Sequence, residues 1–215
     1  VNAPPVILLG AGGHAKVVLD LLRFTGRTVI GVCDPILEHK PGGLWRGIPV
    51  LGGDNDLLSH VADTVELANG VGSLPGQSTR HNLHERIIAL GYRFATLVHP
   101  SAVLSESAIL GRGAQVMAGC VVQADVQIGE GTLVNTAAHI DHDCQLGRHV
   151  HIAPGAVLSG GIRIADNVHV GPNVTIIQGV TIGTGAIIGA GTTVLHDLPE
   201  YHQLIGQAPR SPTPL

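Results

Sequence analysis

The sequence predicts a small α/β domain with a parallel sheet, followed by a parallel β-helix of hexapeptide units and a short tail. Three patterns predict it. An aliphatic residue returns at every sixth position for seventeen matches, from Val98, Leu104, Leu110 and Val116 through Ile140, Ile152 and Ile164 to Ile188 and Val194. The positions two before these are small or β-branched throughout, as at Ala102, Cys120, Val126, Thr132, Ala138, Cys144, Ala156 and Thr192. Ahead of the repeat, the apolar run Val6 to Leu9 is followed by Gly10-Ala11-Gly12-Gly13-His14 and then by helical spacing from Ala15 to Arg23, which reads as strand, glycine turn and helix.

Within the first domain, residues 1–98, a second strand from Thr28 to Cys33 ends at Asp34, 24 residues after Gly10. That is near the spacing at which an acid meets a ribose or base in nucleotide-binding βαβ units. The amides of Gly12, Gly13 and His14, at a helix N-terminus, are the natural donors to a phosphate. Pro35 to Gly53 reads as a loop with an extended piece at Ile48 to Leu51. Asp54 to Ala62 reads as a helix capped by Asp54, Thr64 to Val71 as a strand, Thr79 to Leu90 as a helix and Tyr92 to Val98 as a strand. Ligands of such sheets bind at the carboxyl ends of the strands, which would gather Gly10 to His14, Asp34 and the Gly70 to Ser73 turn.

The second domain, residues 99–195, follows without a linker, so the two should abut rigidly. Each six-residue unit is a short strand with two inward side chains and a turn. Gly111, Gly129, Gly147 and Gly183 lie on an 18-residue lattice, with Ala165 in the remaining place, so three units close one coil of a helix with three flat faces. Residues 196–215 carry Asp197, Pro199, Gly206, Pro209, Pro212 and Pro214, and read as a tail laid over the last coil, where it would cover an open strand edge.

Composition narrows the function. Only 13% of residues are charged and the net charge is −4 without a basic block, which speaks against nucleic acid. Mean hydropathy is +0.32, yet the apolar residues are spaced at period six and form no membrane-spanning run, and no signal-peptide pattern precedes the first strand. Cys33, Cys120 and Cys144 lack metal-like spacing, and the last two occupy inward positions, which fits reduced packing residues in a cytoplasmic protein.

One corner of the repeat is chemically dense: His139, Asp141, His142 and Asp143, followed by His149 and His151. Ile140 and Cys144 point inward, so Asp141, His142 and Asp143 are free to project. A histidine flanked by carboxylates can have one ring nitrogen fixed while the other takes a proton, the arrangement of a general base. Either Asp141 or Asp143 could orient it. A zinc hydratase of the γ-carbonic-anhydrase kind is disfavoured, because its H-x4-H pair is absent among intervals of 3, 7 and 2; only the 18-residue spacing of His151 and His169 invites a metal assay.

The GAGGHAK turn at Gly10 to Lys16, the Asp34 strand end, the HDC triplet at His142 to Cys144 and the HVHIAPGAVLSGG segment from His149 to Gly161 together resemble the sugar acyltransferase family. That family includes sialic-acid O-acetyltransferases and the N-acetyltransferases of nucleotide-linked 4-amino sugars, such as the bacillosamine pathway enzyme. The resemblance implies a left-handed helix, where the general crossover rule would give the opposite hand. It implies acetyl-CoA as cosubstrate, no metal, a homotrimer with acetyl-CoA between subunits, and a 4-amino sugar on a nucleotide as acceptor, GDP-perosamine first and a UDP-linked sugar next. An O-acetyltransferase of a sialic acid is the nearest alternative. Residue by residue, it implies His142 as base and Asp143 as its orienter where relatives often carry Glu, with Asp141 the alternative. It further implies acetyl-CoA contacts at His151, Gly160, Pro172 and Ala190, and nucleotide-sugar contacts at Gly12, Gly13, His14, Lys16, Asp34 and Ser73.

Overall fold

The computed structural model describes residues 3–37 and 41–206. Its first domain is a five-stranded sheet built from β1 (Val6–Leu9), β2 (Val29–Cys33), β3 (Leu44–Trp45), β4 (Ile48–Gly52) and β5 (Glu66–Asn69). The spatial order is β3-β4-β2-β1-β5, all parallel except the β3–β4 pair. β1 is buried along its whole length, as a central strand covered on both faces must be. Helix α1 (Gly13–Phe24) turns Ala15, Val18, Leu19, Leu21 and Leu22 onto the sheet. It packs so closely that a Cβ on Gly70 would stand 2.8 Å from both Ala15 Cβ and Leu9 O. Helix α2 (Thr79–Ala89) buries Leu83, His84 and Ile87.

Two elements differ from the sequence reading. Asp54 to Ala62 forms two 3-10 segments, Asp54–Ser59 and Ala62–Thr64, because only Leu57 of the first buries an apolar side chain. The N-cap there is Gly53, whose amide donates to Asp56 Oδ2 at 2.8 Å, while Asp54 pairs with Arg86. The expected strand Tyr92 to Val98 is divided: Phe94 makes an isolated bridge to Leu67, and Leu97–Val98 already belongs to the β-helix. The chain therefore changes domain within Ala95 to Leu97, slightly earlier than read.

The repeat forms a left-handed β-helix whose two-residue strands stack into three parallel sheets. The first face runs from Leu97–Val98 through Gln115–Val116, Leu133–Val134, His151–Ile152, His169–Val170 and Ile187–Ile188 to Gln203–Leu204. The second face includes Val103–Leu104, Val121–Val122, His139–Ile140 and Val157–Leu158, and the third Ile109–Leu110, Gln127–Ile128, Gln145–Leu146 and Arg163–Ile164. Residues 18 apart are partners at every step, as His151 with His169 and Gln127 with Gln145. From Ala114 onward the inward pair of each unit is buried, as Val126 and Ile128 are at 0% and 3% exposure, while Ala102, Leu104, Ala108 and Leu110 near the first coil are half-buried. Thr132 is a polar inward residue, and its hydroxyl donates to Gly147 O and accepts from the Val150 amide.

The tail does what its position requires. Gln203–Leu204 adds a last parallel strand to the first face, and Leu198 bridges Ile182, so both edges end covered. Residues 207–215 of the tail lie outside the described residues.

The glycine lattice has a steric cause. A Cβ at Gly129 would overlap the Gly147 carbonyl, and one at Gly111 would stand 2.6 Å from the Glu130 amide. Neighbouring coils thus approach backbone to backbone at this corner. Gly129→Ala is expected to destabilise the protein by about 1–3 kcal/mol, read as a lowered thermal midpoint, because the clash is with backbone that has no rotamer to escape into. An unchanged midpoint would mean that the coils slide apart at no cost.

The first face is where the domains meet. Its outward side chains Leu97, Gln115, Leu133, His151 and His169 are all buried, whereas Val103 and Ile109, outward on the other faces, are more than half exposed. Gln115 is the polar anchor: its Oε1 accepts from Arg80 Nη2 at 3.0 Å and lies 3.0 Å from His14 Nε2, and its Nε2 donates to Asn69 O. Arg80 also donates to Asn69 O and Val71 O. The rigid abutment expected from the missing linker is built from this buried network.

Candidate active site

His142 sits in the corner joining the second and third faces, between the strands His139–Ile140 and Gln145–Leu146. Its side chain is 60% exposed, and Nδ1 lies 2.7 Å from Asp143 Oδ2. Asp143 has φ +60°, a left-handed conformation that aspartate tolerates, which folds its short carboxylate back beside the preceding ring. Asp141 Oδ1 instead accepts the backbone amide of His142 at 2.8 Å. The geometry thus separates the two acids: Asp143 holds the ring and Asp141 holds the turn. The hydrogen bond that His142 donates to Asp143, then the negative charge of Asp141, raise the imidazole above its ordinary pKa. With Nδ1–H donated to the carboxylate, Nε2 carries the lone pair.

Gly160 lies one coil above. A Cβ there would stand 2.6 Å from His142 Cε1 and 2.7 Å from Nε2, so the ring rests on a floor that only glycine leaves open. Among the described residues the Gly160 amide has no acceptor, while its carbonyl is taken by the Gly179 amide. A free donor therefore lies beside a free base.

The cysteines contribute packing. Cys120 Sγ donates to Asn135 O and Cys144 Sγ to Ser159 O, and all three thiols are free and buried. Burial raises each of them, Cys33 to about 12, which removes thiolate character near neutral pH.

The other sequence candidates are distributed over the prism, and one chain does not bring them together. His151 is on the first face under the α/β domain, 8% exposed, on the side opposite the His142 edge. Burial first, then the neighbouring His169, push its pKa down to about 3, so it is a neutral imidazole. The two rings meet edge to face at 4.8 Å, and the Nδ1 of each is buried without a partner among the described residues. Pro172 and Ala190 are exposed and stacked one coil apart on the remaining edge, between the first and second faces.

Two cavities open beside the α/β domain. One, of about 560 Å³, lies at the carboxyl ends of β1 and β2 and is lined by Gly10, Asp34, Pro35, Ile36, Asp54, Val71, Thr79, Asn82, Leu83 and Arg86. Asp34 frames it: Oδ2 accepts the Ala11 amide at 2.6 Å and Oδ1 the Ile36 amide at 2.7 Å, tying the glycine turn to the loop after β2. Gly12, Gly13 and Lys16 are exposed on the same turn and the first turn of α1. The other cavity, of about 410 Å³, lies between the domains and is lined by residues including Ser73, Arg80, Asn82, His149, His151 and His169.

The structure places two of the nucleotide-site candidates at the domain interface. The His14 side chain reaches Gln115 there, and burial, then Arg80, push its pKa down to about 4, so the ring is neutral, while the expectation for His14 concerns its backbone amide in the first turn of α1. Ser73 lines the interdomain cavity and is absent from the lining of the one framed by Asp34, because the chain after β5 turns toward the β-helix. Sequence reasoning missed Arg86, Asn82 and Ile36. Arg86 and Asn82 were hidden in a helix read only for its apolar spacing, and Ile36 in a loop read only for its breakers.

Comparison with known proteins accounts for both halves of the chain. Residues 5–87 match the PglD N-terminal domain, and residues 125–160 and 161–196 match the bacterial transferase hexapeptide (six repeats). UDP-N-acetylbacillosamine N-acetyltransferase of Bacillus subtilis is 35% identical over 116 residues, 53% of this chain. That match spans about half of the curated relative, 51% of its length. A perosamine N-acetyltransferase from Caulobacter crescentus, solved as a histidine variant in complex with CoA and GDP-perosamine, is 36% identical with a TM-score of 0.85, over 94% of this chain and 93% of that one. The acetyltransferase domain of PglB from Neisseria gonorrhoeae FA1090 is also 36% identical, with a TM-score of 0.86 over 95% and 97% of the two chains.

Proposed function

Because the chain belongs to the family of acyltransferases that join a PglD N-terminal domain to hexapeptide repeats, we propose that it transfers the acetyl group of acetyl-CoA to the 4-amino group of a nucleotide-linked deoxyamino sugar. GDP-perosamine is the favoured acceptor, from the bound ligand of the Caulobacter enzyme, and a UDP-linked 4-amino sugar comes next, from the Bacillus relative. The observation that carries the reading is the corner at His142, where Asp143 fixes Nδ1 and Nε2 lies against Gly160.

The chemistry follows from that corner. The neutral sugar amine attacks the thioester carbonyl, and His142 Nε2 takes the proton released from nitrogen as the C–N bond forms. The negative charge on the carbonyl oxygen is met by a backbone amide, for which Gly160 N–H is the candidate; such a donor is worth about 3 kcal/mol in comparable reactions. The C–S bond then breaks, and the CoA thiolate recovers the proton from the imidazolium. With the buried cysteines unavailable, direct transfer without a covalent enzyme intermediate is the simplest route.

In this reading the nucleoside occupies the cavity framed by Asp34, with the pyrophosphate near the amides of Gly12 and Gly13. Asp34→Asn is expected to raise KM for the nucleotide sugar about tenfold with kcat little changed, since it removes a charged anchor of the glycine turn and leaves the His142 corner alone. An unaltered KM would remove Asp34 from the binding site.

The deciding experiment is thiol release from acetyl-CoA with GDP-perosamine and a UDP-linked 4-amino sugar run in parallel. Turnover with one of them names the nucleotide. Failure of both, in protein that binds acetyl-CoA, turns the reading toward hydroxyl acceptors and O-acetylation.

A further inference from the structure

A cluster of metal-binding side chains lies outside the corner at His142, where helix α2 meets the edge between the third and first faces. His81, Glu85 and His149 each present one ligand atom, and the three atoms lie within 4.8 Å of one another. His81 and Glu85 are one helical turn apart on α2, so they share a face, and that face is the one turned to the β-helix. His149 comes from the β-helix corner, with φ +55°, a conformation more costly for histidine than for the glycine found at many equivalent corners.

From this constellation we infer that His81, Glu85 and His149 form a site for a borderline divalent transition metal, of which Zn²⁺ is the representative, that braces the α/β domain against the β-helix. The donor set is two imidazoles and one carboxylate, which suits zinc and its neighbours and is poor for magnesium or calcium.

Three features of the surroundings support it. His149 Nε2 already lies 2.8 Å from Glu85 Oε1, so two of the donors are at contact. His81 Nδ1 is held by Asn167 Oδ1 at 2.5 Å, which fixes the tautomer and leaves Nε2 unengaged, as an outer hydrogen bond does for a metal-ligating histidine. The His149 side chain is 6% exposed, so its ring is held in place between α2 and the β-helix corner. In the arrangement seen here the His81 ring stacks on His149 at 4.2 Å, and Arg148 donates to Glu85 Oε1 at 2.7 Å. Binding asks the partly exposed His81 ring to tilt and the carboxylate to share its second oxygen. Three protein donors leave one coordination position for water, on the side of the interdomain cavity that His81 and His149 both line.

The test uses the full chain stripped with a chelator. Co²⁺ is titrated while the visible absorption is followed, then displaced with Zn²⁺, and Mg²⁺ is run as a control. One Co²⁺ per chain with the intense bands of a tetrahedral site, displaced by Zn²⁺, is expected, together with a Zn²⁺-dependent rise in thermal midpoint. His81→Ala and Glu85→Gln, both at partly exposed positions of α2, should each weaken binding on the order of 100-fold or more, since even outer-shell losses cost 10–100-fold. His151→Ala should bind as the parent does. Absence of saturable binding at one per chain overturns the site, and so does binding that survives in both the His81 and Glu85 variants, which would assign the metal to other histidines. The readout needs no acceptor sugar, so its result is independent of the acetyl-transfer reading.

Discussion

Replacing His142 with alanine is expected to lower kcat by about 10²–10⁴ while leaving the fold and acetyl-CoA affinity in place. The side chain is 60% exposed and bears no packing load, so its loss removes a base and little else. The pH profile supplies the internal control. A base must be unprotonated, so activity rises with pH through the pKa of His142, and the carboxylate of Asp143 holds that pKa above the usual histidine value. Asp143→Asn should therefore move the acid limb of the kcat profile to lower pH and reduce kcat, because it removes the largest cause of the raised pKa. Asp141→Asn should move the limb in the same direction by less, since that carboxylate acts on the ring through its charge and bonds only the backbone. An alanine variant that retains turnover within a few fold would end the case for His142 as base, and an Asp141 variant with the larger effect would exchange the roles of the two acids.

How much of this was legible in the sequence varies with the kind of signal. The β-helix was readable almost residue by residue, because each coil repeats the same two inward positions and the glycine corner is imposed by backbone contact, a constraint that single residues cannot evade. The choice between Asp141 and Asp143 was not, since it depends on the left-handed φ of Asp143, which spacing does not report. The α/β domain was legible as a set of elements and less so at their ends. Leu97–Val98 satisfies both a strand pattern and the hexapeptide register, and tertiary pairing with Gln115–Val116 decides between them. The positions of the His14 side chain and of Ser73 were hidden for a related reason. Both follow a strand end, where a parallel sheet presents ligands, but packing against the first face of the β-helix draws them into the domain interface. The His81–Glu85–His149 cluster was invisible because His149 is more than sixty residues from the pair on α2 and meets it only across that interface.

Mixing two inactive variants is expected to restore activity, and the reason is where the parts of the site lie on the prism. The α/β domain, with both cavities, covers the first face, whereas His142 and Gly160 occupy the edge between the second and third faces, on the far side. A sugar held at the Asp34 cavity has the whole β-helix between its amine and the base of the same chain. The residues therefore work together only if the edge of one copy meets the α/β domain of another. In a cyclic homotrimer each edge would meet the next subunit's domain and the ring would close, a heterologous arrangement. Exposed Val103 and Val157 on the second face offer apolar surface for that contact. The test pairs His142→Ala with Asn82→Trp, whose indole would fill the wall common to both cavities from an exposed position on α2. Each alone should be nearly inactive. Co-expressed in equal amounts, they should recover roughly a quarter of the parental activity, the share of interfaces at which an intact edge faces an intact domain under random mixing. Activity no greater than the mean of the two parents, or a monomer by light scattering, would return the site to a single chain and require the α/β domain to swing away from the first face, breaking the buried Gln115, His14 and Arg80 network to do so.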